Sequence, residues 1–333
     1  MHITMLIPGY GYPSPVIGPY EVFTSAGVLW QSLMQTDQDS SKKSDAPFDV
    51  VTASVDGKPV DYLGGVTIKP NKALSQIRKT DLVFIPSVGL DLESVLTKNA
   101  KMLDFLKRQA NRGTTIAGVC TGVAMMAEAG ILEGKPATTH WAMRDEYSKR
   151  YPNVDWKTEL FITECENIIC GGGVYASLDV CLYLVERFAG YEVAKQCGRA
   201  LLIDSPRTWQ SSFSAPLLNQ QHQDDKIKQA QEYLQEYFNA QFTMDELARR
   251  VGMSTRNFTR RFKQATGETP LNYLHKLRIN CARQLLEVDY KSVQEVCYQV
   301  GYEDLAFFRS VFKRYAGLPP KEYKQRFGRV TAG

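Results

Sequence analysis

Two kinds of hydrophobic spacing divide the chain. Over residues 1–205, short apolar runs alternate with stretches in which apolar residues recur every three or four positions. The runs predict strands over 2–8, 48–53, 81–86, 115–119 and 167–170, and the longer period predicts helices over 19–35, 92–111, 122–129, 143–150 and 178–188. Gly113, Gly130 and Gly190 stand where three of those helices should end. Strand and helix in alternation predict an α/β domain on a largely parallel sheet. The polar stretch 36–47 reads as a surface loop, and the Pro-, Ser- and Gln-rich stretch 206–225 as a linker.

Beyond residue 226 the strand signals stop, helical periodicity takes over, and an internal repeat appears. Thr243-Met244-Asp245-Glu246 and Ser292-Val293-Gln294-Glu295 are both Ser/Thr-x-x-Glu capping boxes, 49 positions apart. Each opens a short helix with matching inward residues: Leu247, Ala248 and Val251 in the first, Val296, Cys297 and Val300 in the second. Each helix stops at a glycine, Gly252 or Gly301, the layout of a helix-turn-helix. After the turn the offset becomes 50, and Phe258, Phe262, Lys263, Gly267, Pro270 and Tyr273 align with Phe308, Phe312, Lys313, Gly317, Pro320 and Tyr323. Between the units, 270–287 predicts one continuous helix of about 27 Å, a rigid spacer. With the width of each unit, it suits two recognition helices about 34 Å apart in successive major grooves of DNA.

Charge sharpens this picture. The net +4 hides an asymmetry, since residues 226–333 hold 19 Lys and Arg against 11 Asp and Glu, whereas residues 1–225 hold 21 against 25. A basic module on a mildly acidic body is the layout expected when only one part sits on phosphates. In the helix after the first turn, Arg256, Thr259, Arg260 and Lys263 follow an i, i+3, i+4, i+7 pattern, with Asn257 beside them. The second copy presents Ala306, Arg309, Ser310 and Lys313. Arg pairs with guanine O6 and N7, Thr and Ser bond a base or a phosphate, and Ala touches a thymine methyl. Lys263 and Lys313, one turn further on, suit phosphates.

The stretch from Gly301 through Tyr302, Phe307-Phe308, Phe312-Lys313, Gly317 and Pro320 to Tyr323 resembles the signature of the AraC/XylS family of transcriptional regulators, and the resemblance covers nearly all of 226–329. It implies sequence-specific binding to double-stranded promoter DNA by both recognition helices, with RNA polymerase as a further partner.

The remaining chemistry lies in the first domain. Gly118-Val119-Cys120-Thr121-Gly122 follows an apolar run and opens a helix, so it reads as a G-x-C-x-G elbow, the thiol analogue of a nucleophile turn. Backbone N–H groups of Thr121 and Gly122 would favour a thiolate or an anionic ligand group there. His140 follows 20 positions on, and Glu21 lies after the first strand, so three titratable groups are expected to converge. Catalysis by Cys120, His140 and Glu21 is one reading, a cysteine-dependent hydrolase or hydratase with a DNA-binding tail, but no residue after His140 is an evident partner to orient its ring. At these residues the domain resembles the ThiJ/PfpI superfamily, related to class I glutamine amidotransferases and flavodoxin-like in fold, over about 1–205. Joined to an AraC-type tail, the chain is similar to the GlxA type of regulator. That resemblance implies a domain that senses a small metabolite, such as an amino acid or quaternary amine, rather than catalysing. Glu21, Cys120, Thr121, Gly122 and His140 would then line the effector pocket of a homodimeric regulator expected to be an activator.

Composition sets the frame for both domains. A chain of 333 residues, 44% hydrophobic and 23% charged, is ordinary globular protein of two or three domains. No apolar run nears the roughly 20 residues that span a bilayer, so no membrane partner is expected. Seven cysteines without CxxC or Cys/His spacing predict reduced thiols in a cytoplasm and no metal site, and nothing calls for a cofactor. Gly171-Gly172-Gly173 lacks the Lys-Ser/Thr of a phosphate loop and predicts a close backbone approach, while Trp30, Trp141, Trp156 and Trp209 read as core or interface residues.

Overall fold

The computed structural model describes residues 1–34, 46–203, 222–288 and 291–327. Two units divide the chain, Met1–Gln210 and Ser211–Gly333. The expected loop 36–47 and linker 206–225 fall largely outside the described residues, and Trp209 falls wholly outside them.

The first unit runs β1 (His2–Leu6), α1 (Ser14–Ser25), α2 (Leu29–Met34), β2 (Asp49–Ser54), a hairpin of β3 (Val60–Tyr62) and β4 (Val66–Ile68), then β5 (Lys72–Ala73) and β6 (Leu82–Ile85). It continues with α3 (Leu92–Lys98), α4 (Ala100–Asn111), β7 (Thr115–Val119), α5 (Gly122–Glu128), β8 (Pro136–Ala137), α6 (Arg144–Arg150) and β9 (Asp155–Trp156). It closes with β10 (Ile162–Cys165), β11 (Ile168–Gly171), α7 (Ala176–Ala189) and α8 (Tyr191–Ala200).

Seven strands form one sheet in the order β10-β11-β7-β6-β1-β2-β5, parallel except for β10. Its central strands are apolar throughout because helices cover both faces. Val83, Ile85 and Ile116 point into the core under α3 to α6, while Leu82, Phe84 and Ala117 alternate into the core under α1, α7 and α8. The chain leaves β1 towards β2 on one side and returns to β6 on the other. The crevice beyond the C-terminal ends of β1 and β6 is thus the topological switch point, where open α/β sheets hold ligands.

Two expected helices are each broken in two. The stretch 19–35 starts earlier, at Ser14, and divides at Gly27, whose φ is +72°. The stretch 92–111 divides at Asn99, whose buried Nδ2 donates to the carbonyls of Pro8 and Val95 at 3.1 and 2.9 Å. Of the tryptophans, Trp156 is buried, whereas Trp30 and Trp141 are only half-buried.

The second unit is helical: α9 (Asp225–Glu236), α10 (Met244–Arg250), α11 (Thr255–Thr266), α12 (Pro270–Val288), α13 (Val293–Gln299), α14 (Leu305–Ala316) and α15 (Pro320–Phe327). It holds two cores. α12 is more than the spacer that its pattern predicts, because Tyr273, Leu274 and Leu277 belong to the first core and Ile279, Ala282 and Leu286 to the second. Among the described residues, no helix is long and apolar enough to cross a membrane.

Candidate functional site

Both capping boxes form. The Thr243 hydroxyl accepts from the Glu246 N–H while the Glu246 carboxylate accepts from the Thr243 N–H, and Ser292 and Glu295 do the same. Gly252 and Gly301 take φ values of +66° and +87°, which let the chain turn sharply into α11 and α14. Behind each of those helices the same aromatic set is built. Phe258 meets Phe262 at 5.6 Å and Phe262 meets Tyr273 edge-on at 5.3 Å; Phe308, Phe312 and Tyr323 repeat this at 5.7 and 5.4 Å. All four phenylalanines are fully buried, so the opposite face of each helix is fixed outward.

That outward face carries the expected stripes. On α11, Arg256, Arg260 and Lys263 are exposed and Asn257 and Thr259 half-buried; on α14, Ala306, Arg309, Ser310 and Lys313 are all exposed. The two faces differ in readiness. Asn257 accepts from Arg260 at 3.1 Å, a bond that DNA would have to displace, and Ser310 donates to its own helix at the Phe307 carbonyl. Phe307 escaped the sequence reading: it is a large apolar side chain, half-exposed on the flank of the α14 stripe. The offset of 50 that equates it with Asn257 was the signal that could have drawn attention to it.

In the first unit the elbow is real and strained. Cys120 follows β7 with φ +54°, a conformation that costs a non-glycine residue about 1–3 kcal/mol and persists only where its surroundings enforce it. The enforcing bonds are present: Cys120 N–H donates to the Gly171 carbonyl at 2.8 Å, and the Thr139 hydroxyl donates to the Cys120 carbonyl at 2.7 Å. Both motif glycines are closely approached, Gly122 by backbone that cannot yield. A Cβ on Gly122 would meet the Pro86 carbonyl oxygen at 2.1 Å, and one on Gly118 the Met126 sulfur at 2.4 Å. Gly171 is also crowded, but by the side chains of Val180 at 2.5 Å and Val119 at 3.0 Å rather than by a backbone.

Burial sets the chemistry around the thiol. Burial raises the Cys120 thiol above its ordinary range, and hydrogen bonds from the Ser87 side chain and the Thr121 backbone only partly offset it, so the helix start does not make a thiolate. His140 is half-buried, which lowers its pKa and keeps it neutral, and its Nδ1 accepts from the Ala142 N–H at 3.2 Å. Its ring lies beside Gly173, so it borders the same loop as the elbow. Glu21 is exposed on α1. No hydrogen bond or ion pair of the described residues joins the Cys120 thiol, His140 and Glu21 to one another. Thr121 instead ties the elbow to the loop after β6, bonding Ser87 Oγ at 3.0 Å and both N–H and carbonyl of Val88. Ser87 and Thr139 were missed from sequence because they arrive from other elements, 33 positions before the cysteine and 19 after it.

Comparison with known proteins agrees with both halves. Residues 16–187 match the DJ-1/PfpI family, and residues 247–326 match a helix-turn-helix domain. The HTH-type transcriptional regulator CdhR of Pseudomonas aeruginosa is 30% identical over 271 residues, 81% of this chain and 80% of its own. The HTH-type transcriptional regulator GbdR of the same species is 28% identical over 275 residues, 82% of this chain and 74% of its own. A ThiJ/PfpI family protein from Pseudomonas syringae shares the fold at a TM-score of 0.50 and 24% identity, over 71% of this chain and 86% of that one. A helix-turn-helix pair with duplicated caps and aromatic cores, following a DJ-1/PfpI domain, places this chain in the AraC-type family of DNA-binding transcriptional regulators.

Proposed function

We propose that this protein is a metabolite-responsive transcriptional activator, acting in the cytoplasm as a homodimer, with a sensor domain over 1–205, a linker over 206–225 and a DNA-binding domain over 226–333. Arg256, Asn257, Thr259, Arg260 and Lys263 on α11, with Ala306, Arg309, Ser310 and Lys313 on α14, contact promoter DNA, and RNA polymerase is the partner recruited. A small amino acid or quaternary amine binds the sensor by Cys120, Thr121, Gly122 and His140. Glu21, exposed on α1, lines the same pocket. Effector binding changes promoter affinity through a coupling of about 1–3 kcal/mol.

The observation that carries the reading is the pair of exposed polar stripes, each backed by the same buried aromatic set. The first domain is read as non-catalytic because its thiol is buried and protonated and no hydrogen bond links it to His140. The test is capture of genomic fragments by the full chain at two salt concentrations, with and without a pool of amino acids and quaternary amines. Discrete peaks that persist at the higher salt and shift with one metabolite are expected; diffuse, salt-sensitive retention indifferent to metabolites would sink the reading.

A further inference from the structure

Phe307 stands apart from its surroundings. It is 51% exposed in the first turn of α14, between Ala306 and a buried Phe308, on a helix whose other exposed residues are polar or small. A half-exposed phenylalanine on a basic face offers an apolar surface to whatever binds there, and the major groove of DNA presents one apolar feature, the 5-methyl group of thymine.

Its ring is also held. The imidazole of His275 and the phenol of Tyr302 each meet it edge-on at 6.0 Å. Those two rings stack on each other with planes 6° apart and share a hydrogen bond of 2.8 Å between His275 Nδ1 and the Tyr302 hydroxyl. Arg278 lies over the other partner of this stack, 5.2 Å from the Tyr302 ring centre. A side chain buttressed in this way loses little rotamer freedom on binding, which is what makes aromatic anchors effective at interfaces. Asp304 caps the helix by accepting from the Phe307 N–H at 2.8 Å, so Phe307 sits in the first turn, the part of a recognition helix that enters the groove.

The first helix-turn-helix presents no exposed aromatic at the matching position. At the equivalent position stands Asn257, half-buried and bonded to Arg260, so an aromatic there is not required to build the helix-turn-helix.

We propose that Phe307, with Ala306 beside it, is a specificity-determining residue that reads a thymine 5-methyl group in the half-site of the second recognition helix. This rests on the DNA-reading role assigned to α14 above. The test uses the full chain and a duplex recovered by the genomic capture, remade with each thymine in turn replaced by deoxyuridine, which deletes only the methyl group. One or two positions on the α14 side should lose about four-fold in affinity, the worth of one buried methyl group. That loss should vanish in Phe307→Ala and shrink in Phe307→Leu, and it should persist in Asn257→Ala. Far-UV circular dichroism and a thermal melt of both Phe307 variants separate lost contact from lost fold, and the leucine keeps an apolar side chain if the alanine unravels the ring stack. A deoxyuridine profile identical in wild type and the Phe307 variants overturns the proposal, as does a Phe307→Ala protein that binds every duplex normally but fails to activate, which would make the ring a protein contact. If wild type binds no duplex with sequence preference, the DNA-reading function itself falls.

Discussion

Arg278 donates through Nε to the carbonyl of Phe238 at 2.7 Å and through Nη2 to that of Ala240 at 2.9 Å, and with that clamp one buried cation joins the two helix-turn-helix cores. Phe238 packs against both hydrophobic clusters, and the backbone of its neighbour Asn239 lies where a Cβ on Gly301 would sit, 2.6 Å from the Asn239 carbonyl oxygen. Arg278→Met keeps the stem but leaves two carbonyls without their donor. We expect it to destabilise the second unit by about 2–4 kcal/mol. Trp30, Trp141 and Trp156 lie in the first unit, whose unfolding their fluorescence reports. The helical circular dichroism transition in urea should move to lower denaturant while the tryptophan transition stays, and coincident shifts in both would refute the assignment.

Gly122→Ala tests the elbow. Its new methyl would meet backbone oxygens of Pro86 and Ile85 at 2.1 and 3.1 Å, and a backbone carbonyl at the end of β6 has no rotamer to yield. The loss should reach about 3 kcal/mol or more in the tryptophan transition. Gly130→Ala is the control, since its φ of +72° is strained for alanine but open space surrounds it, and about 1 kcal/mol is expected. Equal costs at the two sites would mean that the chain yields around the new methyl, so that the close approach to Pro86 does not explain the motif.

Legibility in this chain followed the range of the interaction. The caps Thr243 and Ser292 and the stops Gly252 and Gly301 were readable because each acts within one turn of itself. The stripes on α11 and α14 were readable because period alone decides which side faces a buried pair of phenylalanines. The break at Asn99 was not, because its side chain bonds the Pro8 carbonyl, 91 positions away, as well as Val95 in its own helix. β10 was hidden by its shortness and by a turn through Glu166 at φ +57°. The elbow showed its backbone in the spacing of Gly118 and Gly122, but the protonation of Cys120 depends on burial and on Ser87, which no spacing encodes.

Asp224 makes the second unit sensitive to acid. Its carboxylate caps α9 at the Ile227 N–H and takes two bonds from Arg261 at 2.8 and 2.9 Å. Burial pushes its pKa up, but Arg261 and the helix N–H outweigh that and hold it below the ordinary 3.8. The folded state therefore prefers the ionised form: the stabilisation is fully present above pH 3.8 and is lost as pH falls through the lower folded value. Asp224→Asn should cost about 1–2 kcal/mol at neutral pH, with the gap to wild type closing as pH falls below 3.8. A gap that stays constant through that acid range would show that the charge is not what stabilises α9.

The arginines and lysines of the two stripes are expected to make different demands on DNA, which salt separates. Arg256 and Arg309 are exposed in the first half of their helices, where a guanidinium reaches a guanine edge, while Lys263 and Lys313 lie about one to two turns on, nearer the backbone. Arg256→Ala or Arg309→Ala should cost about 1–3 kcal/mol on the preferred site and little on unrelated duplexes, so specificity relaxes. Lys263→Ala should weaken binding to every sequence alike and reduce by about 1 the slope of log affinity against log salt. The check is a titration of each variant against one preferred and one scrambled duplex at three salt concentrations. If the arginine variants lose affinity equally on both duplexes with a flattened salt slope, they are phosphate contacts and base reading must lie elsewhere on α11 and α14.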